Sequence, residues 1–538
     1  MAEQMMAADG RTLKSSLNRA LRRQKLRAML LIAPLLLFIM ITFVIPIGQM
    51  LFRSVENQIV GDTIPRTVQE LAAWDASTDP LPHEAVYAAF AKDMAVAVEE
   101  RRHTRLGSRL NYELAGISSQ FRRTGRDVSD MGEVYTEQFA ALDPAWEEPA
   151  TWIALMADPD WISDRAAWDG EGTEPRFVLS DDAAEGLPRT ADIYADFARI
   201  TQQVNSRSPT AVQPWNVVYA ALYEDLTAGG PAPQIDGPAA TLLTEATAAA
   251  PAFATEDFRA AFINSSNGWG DTQIWQTIQT FSAPYTAGYF LNSIDMQMTP
   301  DGVVTVPENQ QIYVKLFIRT LIMSLTIMGA CILLGYPVAW MLANLPARQA
   351  NLMLILVLLP FWTSLLVRTS AWKVLLQQQG VINDLLVWIG LVSDANRLTM
   401  INNATGTVIA MTHILLPFMI LPLYSVMKTI PPSYLRAAKS LGATNWTAFW
   451  RVYFPQSVPG IGAGSILVFI LSIGYYITPE IVGGTSGIFI SNRIAYHISS
   501  SLNWGLAAAL GTILLVVVMA LYWAYDRIVG IDNVKLGG

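Results

Sequence analysis

The chain is poor in the residues from which most catalytic and metal centres are built. Among 538 residues there is one cysteine, Cys331, and there are four histidines, which lie far apart. A disulfide needs two cysteines, and a histidine-based metal site needs ligands at close spacing. We therefore expect no metal site, no cofactor and no catalytic residue in this chain. The sequence also has no Gly-x-x-x-x-Gly-Lys-Ser/Thr loop, which excludes a P-loop ATPase.

Charged residues are also scarce, and they are unevenly distributed. They make up 15% of the chain, whereas hydrophobic residues make up 52%. That balance is too apolar for an ordinary soluble protein of this length and favours a membrane protein. Residues 54–310 contain 38 Asp/Glu and 15 Lys/Arg, and the rest of the chain contains 7 and 21. An acidic block is therefore set inside a basic, apolar chain.

Long apolar runs predict the membrane spans. A basic stretch at residues 11–27 precedes the first run, which is longer than the roughly 7–15 apolar residues of a cleaved signal peptide. We predict a cytoplasmic basic N-terminus at 1–27 and a retained first span at 28–53. About 20 apolar residues cross a hydrocarbon core of about 30 Å. Windows of this kind predict five further spans, at 313–343, 351–375, 404–427, 459–479 and 505–525.

Six spans place both chain termini in the cytoplasm. The loops that then face inward carry lysine and arginine, as the positive-inside rule requires. The acidic block falls outside, and it holds eight of the sixteen tryptophans, enough to bury a core of its own. We expect an all-α polytopic membrane protein with six transmembrane helices. A large, mainly helical external (periplasmic) insertion spans 54–310, and residues 311–538 form a permease core of five spans. No internal repeat is evident in the sequence.

The loop at 430–456, between the fourth and fifth spans, reads as two short helices. Ser433 follows two prolines and can cap the first helix, and Gly442 can end it in the left-handed conformation. Asn445 can cap a second helix, which we expect to stop before Pro455. A cytoplasmic corner of this kind is suited to transmitting the motion of a docked partner into the adjoining spans.

This loop resembles the signature loop of ABC importer permeases. In that family Glu-Ala-Ala is followed by a glycine and then by a hydrophobic-x-hydrophobic-Pro ending, and here Arg436 stands in place of the glutamate. The positions in register are Ala437, Ala438, Gly442, Val452, Phe454 and Pro455. The resemblance implies a coupling helix that contacts an ATPase subunit through Arg436, Ala437, Ala438, Leu441 and Gly442.

Further stretches are similar to the spermidine/putrescine-type permeases, namely those at 335–340, 359–363, 415–419 and 483–484. The resemblance implies the type I ABC importer permease fold in a bacterial inner membrane. It also implies that this subunit transports and is not an enzyme, because ATP and Mg would act on the partner ATPase. The implied partners are two ATPase copies, a second permease, a periplasmic solute-binding protein and membrane lipid, without nucleic acid.

Candidate residues of the substrate path surround the end of the predicted fifth span. An ionisable residue in a span is a functional candidate. Glu480 follows Tyr475 and Tyr476, so a carboxylate beside aromatic faces could hold an ammonium group. The alternative is an acid simply solvated at the outer face. Trp362 and Arg368, which follow Pro360, could line the same path, although aromatic residues are also ordinary interface anchors.

Several alternatives stay open. The solute could be putrescine or spermidine, or iron, thiamine or another small molecule handled by related importers. A secondary transporter would show matching halves and charges at mid-membrane, and a receptor with an external sensing domain would not need the four other spans. For the insertion we favour docking of a solute-binding protein over direct solute binding or a purely decorative role.

Overall fold

The computed structural model describes residues 13–229 and 238–529, and these form two compact units. The membrane unit comprises the described residues up to 55 together with 287–296 and those from 305 onward. The inserted unit comprises 56–286 and 297–304. Residues 287–296 and 305–310, which the sequence analysis assigned to the insertion, therefore group with the membrane unit. Most of the predicted N-terminal segment 1–27 lies outside the ranges whose side chains are described.

The first span is a single long helix with one wide turn. Helices α1 (Leu13–Ile39) and α2 (Ile45–Arg53) are joined by a π-helical turn at Met40–Val44, and the apolar part runs over Gln24–Arg53. Pro46 is the second residue after the wide turn, at a position where a regular α-helix would lose a hydrogen bond and clash with the proline ring. The apolar side chains of this helix are exposed in the isolated chain, as expected for a helix that faces lipid.

The inserted unit is helical, and its core is rich in tryptophan. Its largest fully buried side chains include Trp146, Trp152, Trp269 and Trp275. Its helices are α3 (Ile59–Thr63), α4 (Pro65–Leu71), α5 (Glu84–Glu99), α6 (His103–Leu110), α7 (Ile117–Asp127), α8 (Glu133–Leu142), α9 (Pro149–Met156), α10 (Pro159–Ala167), α11 (Asp181–Gly186), α12 (Pro188–Gln203), α13 (Asn216–Ala228), α14 (Pro238–Ala249), α15 (Phe258–Ser265) and α16 (Thr272–Thr280).

The inserted unit contains an internal repeat that the sequence analysis missed. The tripeptide Pro-Arg-Thr opens α4 at 65–67 and α12 at 188–190, and Val-Tyr-Ala-Ala recurs in α5 at 86–89 and in α13 at 218–221. The same hydrogen bond also occurs in two pairs of tryptophans that are six residues apart. The indole N–H of Trp152 donates to the carbonyl of Trp146, and that of Trp275 donates to the carbonyl of Trp269. The two copies thus repeat both short sequences and their contacts.

The tyrosines show how the two copies are connected. The hydroxyl of Tyr219 donates to the carbonyl of Trp146 at 2.7 Å, and that of Tyr87 donates to the carbonyl of Trp269 at 2.9 Å. In the first pair the tryptophan precedes the tyrosine along the chain, and in the second it follows. One copy is therefore continuous in sequence, whereas the other is assembled from the first and last parts of the inserted unit. This permuted order explains why a linear comparison of the sequence finds no repeat.

A buried aspartate joins the two helices of each copy, and its removal gives a first prediction. Asp93 accepts hydrogen bonds from the N–H and hydroxyl of Thr67, both at 2.7 Å, and Asp225 binds Thr190 in the same way at 2.8 Å. Each buried group left unsatisfied costs about 1–3 kcal/mol. Each aspartate satisfies two groups of its threonine. We therefore expect Asp93→Ala and Asp225→Ala each to lower the free energy of unfolding of the inserted unit by more than the cost of a single unsatisfied group.

Thermal denaturation followed by tryptophan fluorescence measures this loss, because half of the tryptophans lie in the insertion. Asp75→Ala is the matched control, since Asp75 is an exposed aspartate whose side chain binds the neighbouring Ser77 and Thr78. An equal shift in all three variants would contradict the structural role assigned to the buried pair.

A short segment after the insertion belongs to the membrane unit and begins its main bundle. Helix α17 (Gly288–Ser293) is part of it, whereas most of the hairpin that follows, formed by β1 (Met296–Thr299) and β2 (Gly302–Thr305), groups with the inserted unit. The Asp295 carboxylate accepts hydrogen bonds from the N–H groups of Ile312, Tyr313 and Val314, at 2.8–3.0 Å. It thus satisfies three of the four donors that a helix N-terminus leaves unpaired, and so caps the next span.

The remaining helices form the rest of the membrane unit. Five helices of the described ranges are long and apolar enough to cross a membrane, and a bent pair makes a sixth if it is one span. The helices are α18 (Tyr313–Asn344), α19 (Ala347–Leu358), α20 (Leu365–Leu375), α21 (Val381–Trp388), α22 (Ala404–Thr429), α23 (Pro432–Ser440), α24 (Asn445–Ala448), α25 (Phe454–Gly474), α26 (Ile477–Val482), α27 (Gly484–Gly487), α28 (Ile490–Ser499) and α29 (Trp504–Val529).

The bent pair corresponds to the predicted third span at 351–375. Its two halves, Ala347–Trp362 and Leu365–Leu375, meet at 94°. Pro360 lies in the 3₁₀ turn at Leu359–Trp362, after which Thr363 is extended. The sequence analysis correctly placed apolar helix here but did not foresee that the proline would break it so sharply.

Glycines allow α18, α22 and α25 to pack closely. A Cβ added at Gly335 of α18 would come within 3.1 Å of Met419 in α22. A Cβ at Gly460 of α25 would lie 3.0 Å from Val426 on the same central helix. Tyr336 and Ser457, which are hydrogen-bonded at 2.9 Å, also join α18 to α25. These three helices are the core against which the functional loops are fixed.

Candidate coupling and transport sites

The turn that ends α23 has the conformation that the sequence predicts. Gly442 has a φ of 89°, in the left-handed region. Its N–H donates to the carbonyl of Lys439 at 3.0 Å, and the N–H of Ala443 donates to that of Ala438 at 3.1 Å. These bonds close the last helical turn in the manner of a glycine C-cap. The prediction of a left-handed glycine at this position is confirmed.

The two predicted N-caps are wrong by one or two residues. Pro431 precedes α23, and Ser433 lies inside the helix, because Pro432 already has the backbone angle that a first helical residue needs. The second helix is capped by Thr444, whose hydroxyl accepts from the N–H of Thr447. Asn445 is the first residue of that helix. Two adjacent residues can both act as caps, and the sequence alone does not choose between them.

The second helix of the corner does not stop before Pro455, contrary to prediction. It continues from Asn445 through a π-helical turn at Phe449–Tyr453 into α25, so that one apolar helix runs over Asn445–Gly474. The wide turn accommodates the proline, as in the first span. The corner and the fifth span are consequently one continuous helix, which can carry a displacement of the corner directly into the bundle.

The outer surface of the corner is exposed and partly apolar. Leu441 is 89% exposed and Trp446 is 71% exposed, and Arg436 and Ala437 are also exposed. Leu435, on the opposite face of α23, packs against the buried cluster of the three-helix core. The corner is thus anchored on one side and presents an apolar and basic surface on the other. Exposed apolar patches of this kind are typical of protein contact sites.

The candidate path residues near the end of the fifth span lie on a separate element. The span ends at Gly474, and Glu480 is on α26 and exposed. Asn492 of α28 donates from its side-chain amide to Glu480 Oε2 at 2.6 Å and to the carbonyl of Tyr476 at 2.9 Å. This amide holds the Tyr475–Glu480 turn in place. It leaves the second carboxylate oxygen for other donors.

Arg368 belongs to the same region through its helix. Thr369 and Thr478 are hydrogen-bonded at 3.1 Å and join α20 to α26. Trp372 Nε1 donates to His413 Nδ1 at 3.0 Å and joins α20 to α22. These contacts place the helix that carries Arg368 against α26, which carries Glu480, and against α22.

Trp362 lies apart from these contacts, at the bend between α19 and α20, where it is 72% exposed. Its neighbour Phe361 holds the bend by an edge-to-face contact with Phe418, with ring centroids 5.0 Å apart. Sequence reasoning missed Asn492 and His413, which organise the cluster. Neither carries a local signal, because the partner of each is in another helix.

A membrane bundle that presents a helical corner and a polar cluster has the features of a transport subunit, and comparisons with known proteins identify its class. Residues 312–529 match the family "Binding-protein-dependent transport system inner membrane component". The spermidine/putrescine transport system permease protein PotB of Escherichia coli is 34% identical over 40% of this chain and 79% of its own length. The chain belongs to this family of inner-membrane permeases, and it is a multi-pass membrane protein.

A second sequence relative agrees with this class. The inner membrane ABC transporter permease protein YdcU of Escherichia coli is 32% identical over 48% of this chain and 83% of its own length. A crystal structure of a bacterial ABC transporter involved in the import of alginate matches 42% of this chain at 21% identity, with a TM-score of 0.34. The resemblance to ABC importer permeases of the spermidine/putrescine type is confirmed. The whole inserted unit, residues 56–286 and 297–304, lies outside the residues matched by the family.

Proposed function

We propose that this chain is the permease subunit of an ATP-driven importer that moves a polyamine such as putrescine or spermidine into the cytoplasm. The observation that carries the proposal is the similarity to PotB, which spans 79% of that protein. Glu480 and its tyrosine neighbours supply a carboxylate and aromatic faces, to which ammonium groups bind by charge pairing and cation–π contact.

The energy for transport would come from a partner. The corner around Gly442 would dock one ATPase subunit, and a second permease would dock another, with ATP and Mg bound there. ATP-driven closure of the two ATPases would move the corner and so change which side of the membrane the path faces. Both termini of the chain would be cytoplasmic. The continuous helix from Asn445 to Gly474 supports this route for the motion.

The insertion would face the periplasm and dock a solute-binding protein. Its region carries 38 acidic and 15 basic residues. Such an excess of negative charge can steer a basic partner by long-range attraction. The interaction should weaken with salt, because the screening length falls from about 10 Å at 0.1 M to about 3 Å at 1 M.

The role of Glu480 can be tested by removing its charge alone. Glu480→Gln keeps an oxygen that accepts from Asn492 and loses the carboxylate charge. A hydrogen bond to a charged group is worth about 1.5–3 kcal/mol, so we expect the KM for spermidine uptake to rise on the order of tenfold. Uptake of labelled spermidine into vesicles that contain the assembled transporter measures this change.

The matched control is Glu308→Gln, which removes an exposed carboxylate elsewhere in the membrane unit. It should leave the KM unchanged. Competition by putrescine, thiamine, ferric iron and an organic dianion in the same assay identifies the solute class. Uptake of the dianion in preference to the amines would overturn the proposed substrate.

A further inference from the structure

The inserted unit contains a cleft between its two repeat copies. Its volume is about 670 Å³, within the roughly 300–1,000 Å³ of small-molecule sites. Pairs of lining residues occupy equivalent positions in the two copies: Arg66 and Arg189, Gln69 and Asp192, Lys92 and Glu224, Tyr135 and Phe258. The cleft therefore lies where the two copies face each other. Its lining is asymmetric, because equivalent positions carry different residues, such as Lys92 and Glu224.

The basic groups of the cleft are already neutralised. Lys92 Nζ lies 2.6 Å from Glu224 Oε2, which is its repeat equivalent. Arg66 lies 2.5 Å from Asp192 and also pairs with the buried Asp93. Arg189 pairs with Glu224 and Asp225 at 3.7 and 3.5 Å. An anionic ligand would have to compete with these carboxylates for each cation.

Two partly buried carboxylates of the cleft are not neutralised in this way, whereas the exposed Glu70 lies 3.9 Å from His83. Within the described ranges, no lysine or arginine lies at ion-pair distance from Glu84 or Glu256, and Arg259 acts on Glu84 only from farther away. Glu84 accepts from the N–H of Phe258, and Glu256 accepts from the N–H of Gly132. Burial raises the pKa of both groups, and the charge of Glu84 further raises the pKa of Glu256. A bound cation would offset the cost of burying these charges and would reduce the repulsion between them.

Aromatic rings stand beside these carboxylates. The rings of Tyr135 and Tyr223 have centroids 4.9 Å apart, and Phe258 lies 6.5 Å from Tyr135. The hydroxyl of Tyr135 accepts from the N–H of Glu256 at 3.1 Å, which places this carboxylate next to the ring group. Aromatic faces attract ammonium groups and also cover the methylene groups of an organic cation. A hydrated metal ion would make no use of them.

From these contacts we infer that the cleft binds a small organic ammonium compound, with its charged nitrogen at Glu84 and Glu256 and its carbon chain against Tyr135, Tyr223 and Phe258. This site goes beyond the proposed transport function. It does not depend on which solute the permease moves, since none of its residues belongs to the membrane unit.

Calorimetric titration of the purified full-length chain in detergent tests the inference. The probes are 1,4-diaminobutane, tetramethylammonium, the neutral isostere 1,4-butanediol and the dianion glutarate. We expect binding of the two cations and none of the diol or the dianion. Glu256→Gln should weaken binding about tenfold, and Tyr223→Leu should weaken it without a change of charge.

Two controls separate this site from others in the chain. Glu245→Gln, at an exposed acid of α14 outside the cleft, should bind as the unmodified chain does. Glu480→Gln should also retain this binding, even if it impairs transport. Thermal melting shows whether the cleft variants remain folded. Binding that is lost in Glu480→Gln but kept in both Glu256→Gln and Tyr223→Leu would overturn the inference, as would binding of glutarate in place of the cations.

Discussion

Replacing Gly442 by valine is expected to abolish coupled transport while leaving the chain folded. A Cβ at this position would meet no atom within 4 Å, so the substitution creates no clash. Its cost comes from the φ of 89°, which costs an L-residue about 1–2 kcal/mol and a β-branched residue more. The end of α23 would therefore relax into another conformation and move the exposed Leu441 that we place in the ATPase contact. We expect uptake to fall at least about tenfold.

Uptake and ATP hydrolysis by the assembled transporter, measured together, check this outcome. Gly442→Asn is the rescuing variant, because asparagine enters the left-handed region more readily than other residues with a side chain. Gly390→Val is the matched control, since Gly390 has a φ of 77° and equally open surroundings but ends a helix outside the corner. If Gly442→Val transported as much solute per ATP as the unmodified chain, the role proposed for the corner would be wrong.

The features that could be predicted from sequence are those whose cause is local. Apolar runs of sufficient length located the spans, and Gly442 ended its helix as predicted, because both depend on neighbouring residues. The exact N-cap of the second helix was predicted wrongly, because Thr444 and Asn445 are both good capping residues. Only the backbone conformation that follows α23 decides between them. Pro455 was misjudged because a π-helical turn can admit a proline that a regular helix cannot.

Features that depend on distant contacts could not be predicted. Asp295 caps α18 from across the β-hairpin, and no spacing rule connects it to that helix. Asn492 fixes Glu480 from the next helix, and nothing in its own neighbourhood marks it. The repeat was hidden because one copy is split between the ends of the insertion, so that its equivalent segments occur in a different order. The cleft is lined by residues that are far apart in the sequence, such as Glu84 and Glu256, so only the folded chain reveals it.

Removal of most of the insertion is expected to abolish uptake without preventing assembly of the membrane unit. The structure gives the deletion points. Glu56 and Tyr285 form an antiparallel bridge, and the N–H of Asn57 donates to the carbonyl of Pro284 at 2.8 Å. The two chain segments are therefore adjacent, and a short Gly/Ser linker can replace residues 58–283. The segment 287–296 is kept, so that Asp295 still caps α18.

A longer deletion, of residues 58–305, serves as the comparison. It separates the loss of the insertion from the loss of the segment that caps α18. It removes Asp295 and Tyr289, whose ring lies against Gly505 of α29, and leaves three N–H groups of α18 without their cap. Because this variant loses both the cap of α18 and the contact of Tyr289 with α29, we expect it to lose co-purification with the ATPase. The shorter deletion should co-purify normally and show only background uptake. Normal uptake by the shorter deletion would mean that the insertion takes no part in transport, and the proposed docking of a solute-binding protein there would be wrong.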